Sequence, residues 1–401
     1  MTLVVAGASL AGLRAVESAR RTGYRGRIVL IGAEEHLPYD RPPLSKAFLD
    51  VAGPARVEPF RSEASLRDEL GVELRLGTPA RGLDTGAREV LLDDRPVPYD
   101  GLVIATGATA RPFPGPVPGV HTLRTAEDAM AVRAALDRGA RAVVIGAGFI
   151  GAEVASATRK RGLPVTIVEA LDVPLARSVG ASAGAALAGL HREAGTELRL
   201  GATVTGFETR GGTVSGVVVA GEVLPADLVV AGIGAAPATG WLRDSGVRLH
   251  ERDGGVVCDA TLAAGPPGVY AAGDVAHVVN PLFDDGPMRA EHWTNAAEQG
   301  AAAARHALEP ASARPLPSVP YFWSDWYGHR IQFVGSPRAD EVVVAVPAEA
   351  GLTALYRRGD RLTGALTVDR PKEIMKYRRR IAVAAPWGEA VEFAGTTRRA
   401  A

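Results

Sequence analysis

The sequence predicts an α/β protein with two doubly wound units and a smaller C-terminal α+β domain. Two segments show the same pattern, in which an apolar strand ends at a glycine, a helix follows, and a second apolar strand comes next. Near residue 315 the pattern changes, and an aromatic cluster at 321–327 precedes alternating strands and a basic helix-like stretch. The 401 residues are enough for two or three domains of about 100 to 200 residues each.

Composition excludes several classes of protein. With 47% hydrophobic and 22% charged residues, the chain has enough apolar material for folded cores and is neither disordered nor fibrous. Its 45 basic and 45 acidic residues cancel, so no overall field favours nucleic acid or an anionic membrane. We therefore expect no nucleic-acid partner and no membrane partner.

Cys258 is the single cysteine of the sequence. It cannot form an internal disulfide, a dithiol redox pair or a four-cysteine metal site, and no metal site is predicted. No apolar run reaches the ~18 to 20 residues of a membrane span. Residues 2–6 already predict the first core strand and leave no room for a signal peptide, so we expect a soluble cytoplasmic protein.

The first unit begins at the strand over residues 3–6, which is followed by Gly7, a helix to about Thr22 and a strand over 27–31. The turn resembles a glycine-rich phosphate-binding loop, but Ser9 stands where the middle glycine usually lies, before Gly12. A serine there has to fit beside a pyrophosphate, to which its hydroxyl can donate. Glu34 and Glu35 follow the second strand, where a carboxylate can bind a ribose.

The second unit carries the stronger motif. Gly146 allows the tight turn, Gly148 lets backbone N–H groups approach a pyrophosphate, and Gly151 lets the helix, predicted to about Gly162, pack on the strand. Glu169 lies 169 − 146 = 23 residues after the first of these glycines, at the end of the next strand, and can accept hydrogen bonds from an adenosine ribose. Because the same carboxylate repels a 2′-phosphate, it favours NADH over NADPH. Two such units about 140 residues apart predict two dinucleotide sites.

Four further segments carry a resemblance to a known family. They are residues 38–46 (PYDRPPLSK), 103–108 (VIATGA), 270–276 (YAAGDVA) and 291–296 (EHWTNA). With the two glycine units, they resemble the FAD-dependent ferredoxin reductases of the putidaredoxin reductase and ring-hydroxylating dioxygenase type, within the glutathione reductase fold family. The resemblance covers essentially the whole chain and implies Rossmann-like FAD and NAD domains plus a C-terminal α+β domain. The expected domains are FAD-binding at 1–110 and 233–314, NADH-binding at 111–232, and C-terminal at 315–401.

The resemblance also implies roles for individual residues. Gly7, Gly12 and Glu34 would hold the ADP part of FAD, Arg41 and Lys46 would lie near the flavin and its phosphates, and Ala105, Thr106 and Gly107 would pass under it. Asp274 would bind the ribityl chain, His292 and Trp293 would contact the isoalloxazine, Trp323 would shield it, and Glu153 would meet the nicotinamide. The remaining predicted cofactor contacts are Ser9, Leu10, Ala11, Glu35, Phe149, Ile150, Gly232, Gly234 and Gly273, alongside Gly146, Gly148, Gly151 and Glu169. The predicted catalytic residues are Lys46, Glu153 and Trp323.

The region that carries reactive cysteines in disulfide reductases of this fold, residues 42–49 here, holds no sulfur. Cys258 lies far away in a predicted strand and is expected to be a small buried hydrophobe. Electrons would therefore leave the flavin directly. NADH would give a hydride to flavin N5, where Lys46 would stabilise negative charge, and single electrons would pass to a [2Fe–2S] ferredoxin serving a cytochrome P450 or ring-hydroxylating oxygenase.

A ferredoxin is usually acidic, so its docking face on this chain should be locally basic. The best candidate is the stretch Arg370, Lys372, Lys376, Arg378, Arg379 and Arg380, and a second is Arg14, Arg20 and Arg21. Three other functions stay open at this point. They are a flavin NADH oxidase, the reductase of a rubredoxin or nitrite system, and an NADH-sensing flavoprotein that signals through a partner.

Overall fold

The computed structural model describes residues 1–51, 53, 56–283, 285–345 and 351–399. The chain forms two compact units. Unit 1 comprises Met1–Asp40, Glu58–Thr109 and Ala236–Tyr321, and unit 2 comprises Arg41–Val57, Ala110–Ala235 and Phe322–Ala401. The α-helices in the described ranges are α1 (Leu10–Arg21), α2 (Ala126–Asp137), α3 (Phe149–Lys160), α4 (Ala176–Val179), α5 (Ala181–Glu193), α6 (Trp293–Leu308), α7 (Pro371–Ala382) and α8 (Trp387–Arg399).

Unit 1 is built on a parallel sheet whose strands are buried. Its strands are, in spatial order, Val269–Ala271, Gly101–Ile104, Thr2–Ala6, Arg27–Ile31 and Val72–Arg75. The central strand runs in register with both neighbours, with Val5 opposite Leu30 on one side and Val103 on the other. These three side chains are fully buried, which is why the strands are near-continuous apolar runs.

Helices α1 and α6 pack closely against each other beside this sheet. A Cβ at Gly300 of α6 would lie 2.1 Å from the carbonyl oxygen of Ala11 in α1, so only glycine allows this approach. Two small sheets also lie in the described part of unit 1. One consists of Gly82–Asp84, Glu89–Leu91 and Val97–Pro98, and the other of Val256–Cys258, Ala276–Val279 and Pro287–Met288. Two further strands, Ala108–Ala110 and Ala235–Pro237, lie where the chain passes between the units.

Unit 2 contains a second parallel sheet of the same kind. Its strands are, in order, Glu197–Arg199, Val165–Val168, Ala142–Ile145, Leu228–Ala231 and Val120–His121. An antiparallel meander of Val204–Arg210, Thr213–Val219 and Glu222–Pro225 lies within the same unit. The predicted strand–glycine–helix–strand pattern is thus present twice, and helices α1 and α3 end within two residues of their predicted ends.

The C-terminal part of unit 2 is a five-stranded sheet in the order Tyr321–Trp326, His329–Gly335, Arg361–Val368, Thr353–Arg358 and Glu341–Ala345. It shares a hydrophobic core with α3, α4 and α5, in which Phe322, Trp326 and Phe333 pack with Ala152, Val179 and Leu187. Trp326 is fully buried. Helix α7 follows this sheet and buries Ile374, Tyr377 and Ile381.

The predicted fold class is confirmed, since both parallel sheets and the C-terminal sheet domain are present. Residues 41–57 group with unit 2, and the three predicted domain boundaries stay a prediction. No helix in the described ranges is both long enough and apolar enough to cross a lipid bilayer.

Candidate cofactor sites

In unit 1, the predicted binding residues meet at one edge of the parallel sheet. Gly7 follows the strand Thr2–Ala6, Ala105 follows Gly101–Ile104, and Gly273 comes two residues after the strand Val269–Ala271. Carboxyl ends of neighbouring parallel strands lie side by side, and a ligand in such a sheet binds in the crevice outside them. The sheet therefore brings together residues that are up to 273 − 7 = 266 positions apart.

The first glycine loop is tightly built. Gly7 has φ 125°, its N–H donates to the carbonyl of Ile31 at 2.8 Å, and a Cβ there would lie 2.0 Å from the carbonyl oxygen of Ala105. A Cβ at Gly12 would lie 1.8 Å from the carbonyl oxygen of Gly7. Both glycines are thus required by the fold itself, which holds the start of α1 against the strand end.

Ser9 is tolerated in this loop for a clear reason. It is the N-cap residue of α1 with φ −122° and ψ −158°, a conformation that any L-residue adopts. Leu10 and Ala11 form the buried first turn, whose backbone N–H groups have no partner within a helix. The turn contains no acidic residue, so the helix N-terminus favours an anion such as a pyrophosphate.

The other unit 1 residues line the same edge. Glu34 accepts a hydrogen bond from the hydroxyl of Tyr39 at 2.6 Å, while Glu35 is exposed. Thr106 Oγ1 donates to the carbonyl of Ala238 at 2.8 Å, and Gly107 has φ 67°. Asp274 is partly exposed beside buried Gly273, whose N–H donates to Gln299 Oε1 at 2.9 Å.

Two aromatic side chains open α6. His292 is its N-cap, and Trp293 is its first residue. The Trp293 Nε1–H donates to Asp40 Oδ1 at 2.8 Å, and the Arg14 guanidinium lies 6.0 Å from the centre of the indole. Burial lowers the pKa of His292 to about 4, although the Asp274 carboxylate acts in the opposite direction, so this imidazole is neutral at pH 7.

The second glycine loop, in unit 2, repeats this construction. Gly146 has φ 102°, and a Cβ there would lie 2.6 Å from the carbonyl oxygen of Gly232. A Cβ at Gly151 would lie 2.1 Å from the carbonyl oxygen of Gly146. Gly234, which follows at the end of the neighbouring strand, has φ 102° with open space around it.

Gly148 differs from the other glycines of this loop. It is the N-cap of α3 with φ −80° and ψ −174°, so its backbone does not require glycine. A Cβ there would meet only the carbonyl oxygen of Gly232, at 3.9 Å. The fold leaves space in front of Gly148, at a helix N-terminus, and this is the fit expected for a dinucleotide phosphate.

Glu169 lies directly after the strand Val165–Val168. Its carboxylate accepts hydrogen bonds from the N–H of Ala147 at 2.7 Å and the N–H of Leu171 at 2.9 Å, and it is partly exposed. These bonds hold the acid beside the glycine loop, as ribose recognition requires. Ile150 is exposed in the first turn of α3, whereas the ring of Phe149 packs edge-on against Phe322 with centroids 4.6 Å apart.

Lys46, which is partly exposed, and the buried Glu153 form an ion pair within unit 2. Lys46 Nζ lies 2.7 Å from Glu153 Oε2, with side-chain exposures of 20% and 4%. The hydroxyl of Ser45 donates to Glu153 Oε2, and the hydroxyl of Ser324 donates to Glu153 Oε1. A buried carboxylate needs a charged partner and hydrogen bonds, and Glu153 has both among the described residues.

The two remaining predicted residues of unit 2 have separate contacts. Arg41 Nη1 donates to the carbonyl of Arg124 at 2.7 Å. Trp323 is partly exposed on the strand Tyr321–Trp326, with the Arg330 guanidinium 5.9 Å from its ring centre.

The predicted basic stretch lies on and before α7, but its six residues do not share one face. Lys372, Lys376 and Arg379 are exposed and three to four residues apart, so they lie on one side of the helix. Arg370 is paired with Glu373 at 2.7 Å, with side-chain exposures of 11% and 14%. The Arg380 guanidinium lies 4.0 Å from the centre of the Phe393 ring. We call Lys372, Lys376 and Arg379 the α7 basic face.

Several functional candidates have no signal in the sequence. Ser45 and Ser324 reach Glu153 from positions 108 and 171 residues away, and Trp326 Nε1 donates to Ser324 Oγ at 2.8 Å.

In unit 1, the side chains of His250, Asp253 and His277 lie close together, and the two imidazole rings stack 4.1 Å apart at 13°. Because ring-nitrogen lone pairs lie in the ring plane, nearly parallel stacked rings cannot both point at one metal ion.

Cys258 behaves as expected from the sequence. It lies at the end of the strand Val256–Cys258 and is 3% exposed. Burial raises the pKa of its thiol to about 12, so it is neither a thiolate nor a nucleophile at neutral pH.

Comparison with known proteins identifies the family of the chain. The family profile described as pyridine nucleotide-disulphide oxidoreductase matches residues 1–300, and one described as reductase C-terminal matches residues 321–393. Rhodocoxin reductase of Rhodococcus erythropolis is 36% identical, with coverage of 96% of this chain and 90% of the relative. The ferredoxin–NAD(+) reductase subunit of the benzene 1,2-dioxygenase system of Pseudomonas putida is 37% identical, with coverage of 92% and 90%.

A solved structure is similar as well. The covalent putidaredoxin reductase–putidaredoxin complex contains a chain that is 32% identical, with a TM-score of 0.88 and coverage of 96% of this chain and 94% of that one. Both glycine loops, the carboxyl-end residues and the C-terminal sheet lie within the matched ranges. The chain therefore belongs to the pyridine nucleotide-disulphide oxidoreductase family.

Proposed function

We propose that this protein oxidises NADH with an FAD cofactor and delivers electrons singly to a small [2Fe–2S] ferredoxin, which serves a cytochrome P450 or a ring-hydroxylating oxygenase. The observation that carries the proposal is the pair of glycine loops at the carboxyl ends of two parallel sheets, in a sequence with one cysteine. Bound flavin supplies the conversion of a hydride into single electrons, which side chains do not perform.

Unit 1 is the proposed FAD site. The first turn of α1, with Gly7, Ser9, Leu10, Ala11 and Gly12, would receive the pyrophosphate, and Glu34 would bind the adenosine ribose, with Glu35 beside it. The remaining contacts in this unit would come from Ala105, Thr106, Gly107, Gly273, Asp274, His292 and Trp293. The partly exposed Asp274 carboxylate is an acceptor for hydroxyl groups of the cofactor.

Unit 2 is the proposed NADH site. Gly146, Gly148 and Gly151 would shape the loop that receives the pyrophosphate, and Glu169 would accept hydrogen bonds from the ribose. Ile150 is exposed in the first helical turn and would line this site, with Gly232 and Gly234 on the neighbouring strand end. Phe149, a predicted cofactor contact, would line this site too, with its ring held against Phe322.

Lys46, Glu153 and Trp323 are the proposed catalytic residues, and Arg41 is a proposed cofactor contact. The Lys46–Glu153 pair holds a cation in a fixed, poorly solvated position, where it favours negative charge developing nearby. Trp323 is partly exposed and offers an aromatic surface that would shield a bound ring from water.

The α7 basic face is the proposed docking surface for the ferredoxin. Of the six basic residues predicted from the sequence, these three are the exposed ones on one side of the helix. The exposed apolar side chains Met375 and Val383, at 41% and 76% exposure, lie next to them. A protein interface commonly combines an apolar centre with complementary charges, which steer association with an acidic partner.

The three-domain boundaries at 110/111, 232/233 and 314/315 are part of the proposal, as is a cytoplasmic location. The location is supported by the single cysteine, because compartments that favour disulfides are rich in proteins that use them.

The proposal is tested by steady-state turnover with cytochrome c as the final acceptor. We expect cytochrome c reduction by NADH to need added [2Fe–2S] ferredoxin and to saturate with it. Fast NADH consumption in air without ferredoxin would instead identify an oxidase. Fast reduction by rubredoxin alone would identify a rubredoxin-system reductase, and slow turnover with every acceptor would favour an NADH sensor.

A further inference from the structure

We propose that Ser324 is a positioning residue for NADH oxidation, because its hydroxyl fixes the Glu153 carboxylate against Lys46. The inference rests on the proposed function and assigns a part of its site to the C-terminal sheet. Ser324 lies on the strand Tyr321–Trp326, 324 − 153 = 171 residues from its partner.

The direction of the hydrogen bonds is fixed by the chemistry of the groups. The indole Nε1–H of Trp326 is a donor only, and it lies 2.8 Å from Ser324 Oγ. Ser324 therefore accepts from Trp326 and directs its own proton to Glu153 Oε1. The other carboxylate oxygen, Glu153 Oε2, pairs with Lys46 and accepts a hydrogen bond from Ser45. Ser324 is therefore the donor to Oε1 among the described residues.

The hydrogen bond from Ser324 to Glu153 is shielded from water, because both side chains are buried. Ser324 and Trp326 are fully buried, and Glu153 and Ser45 are 4% and 3% exposed. A buried carboxylate that loses a donor is not compensated by water, so its charged form becomes less favourable. Lys46 is the charged side chain that pairs with Glu153 in the described part of the chain, and it would lose a fixed partner when that charge is lost.

The core of unit 2 holds Ser324 in place. The strand alternates, so Ser324 and Trp326 point into the core while Trp323 is partly exposed. The Trp326 indole packs on the imidazole of His191 with centroids 4.9 Å apart at 34°. His191 Nδ1 is hydrogen-bonded to the Tyr327 hydroxyl at 2.8 Å. Two hydrogen bonds, from Trp326 to Ser324 and from Ser324 to Glu153, thus connect this core to the Lys46–Glu153 pair.

The first test is the pH profile of flavin reduction by NADH in the full chain. Loss of a hydrogen bond to a charged group costs about 1.5 kcal/mol or more, which corresponds to about one unit of pH. For Ser324→Ala we expect the acid limb of the rate profile to move up by about one unit, so that the rate at a given pH on that limb falls about tenfold. The acid limb of Ser324→Cys, which keeps a weaker S–H donor, should lie between those of the wild type and Ser324→Ala.

The matched control is Ser336→Ala. Ser336 is a serine of similar burial, 1% exposed, directly after the strand His329–Gly335 of the same sheet. It should leave the profile unchanged. A Ser324→Ala profile that coincides with the wild-type profile would overturn the inference, because a purely structural serine would change stability without moving the pH limb.

The second test reads the carboxyl group directly by infrared titration of the holoenzyme. In Ser324→Ala the band of a protonated buried carboxyl should appear about one pH unit higher than in the wild type, and the added substitution Glu153→Gln should remove it. A band that appears at the same pH in both proteins would contradict the inference. If the wild type is not reduced by NADH at all, the proposed function fails, and this titration still decides whether Ser324 holds the Glu153 charge.

Discussion

Gly148→Ala separates the binding role of the second glycine loop from its structural role. The backbone at Gly148 has φ −80°, and the added Cβ would meet one atom, the carbonyl oxygen of Gly232, at 3.9 Å. Replacing an N-cap glycine by alanine costs up to about 1 kcal/mol of helix stability, so the variant should fold. If this loop receives the NADH pyrophosphate as proposed, the added methyl group would occupy space that the phosphate needs. Loss of two charge-assisted hydrogen bonds of about 1.5 kcal/mol each would then weaken NADH binding about 100-fold.

The assay is the NADH concentration dependence of flavin reduction by stopped flow, together with thermal unfolding. We expect the apparent Kd for NADH to rise about 100-fold with a shift of only a few degrees in Tm. The control is Gly206→Ala, since a Cβ at Gly206 has no atom within 4 Å and this glycine lies in the meander of the same unit. Unchanged NADH affinity in a folded Gly148→Ala protein would refute the assignment of this loop.

Three other perturbations have defined outcomes. Glu169→Ala combined with Ala170→Arg should reduce the preference for NADH over NADPH at least tenfold in kcat/KM, because it removes the charge that repels a 2′-phosphate and adds one that attracts it. Reversing all three charges of the α7 basic face to glutamate should raise the ferredoxin KM at least tenfold at low salt, less at high salt, with little effect on dye reduction. The pKa of buried His191 is lowered to about 4 by desolvation and, secondarily, by Arg192. The unfolded chain therefore binds more protons than the folded one below about pH 6.5, so stability falls as the pH drops from about 6.5 toward 4, by at most about 3 kcal/mol. His191→Asn should flatten this loss in thermal unfolding.

Each of these perturbations has its own contrary result. An unchanged coenzyme preference would remove Glu169 as the selective group. For the α7 basic face, the control reverses three exposed arginines elsewhere, namely Arg192, Arg210 and Arg252, which gives the same total charge of 0 − 6 = −6. If both triple variants raise the ferredoxin KM equally, the overall charge of the protein, and not docking at the α7 basic face, would govern the KM. A His191→Asn protein with the wild-type pH dependence would show that other groups govern acid stability.

Most of the fold could be predicted from local patterns in the sequence. The strand over residues 142–145 and Gly146, Gly148 and Gly151 predicted a parallel βαβ unit, and the structure has it. Glu169 was placed at a strand end by spacing alone, and the structure puts its carboxylate 2.7 Å from the Ala147 N–H. These predictions succeed because the signals they use are local. The spacing of apolar residues, the glycines of the turn and the residues that start the helix all lie within a few tens of residues of one another.

The sequence could not predict contacts that depend on tertiary packing. Ser45, Glu153 and Ser324 come from three distant parts of the chain, and a serine between aromatic residues has no local signature. In the sequence, the basic residues before and on α7 form one charged stretch. In the structure, Arg370 instead forms an ion pair with Glu373. Ser9 departs from the glycine pattern, and only its φ of −122° shows that the backbone accepts a serine there.

The central claim is that electrons pass from NADH through this protein to a ferredoxin, and anaerobic stopped-flow mixing tests it most directly. The purified protein is mixed with NADH, and an oxidised [2Fe–2S] ferredoxin is added in a second mix. We predict rapid bleaching of the flavin absorbance, followed by rapid recovery when ferredoxin is added. Bleaching without recovery with any of several ferredoxins, combined with prompt turnover in air, would contradict the claim.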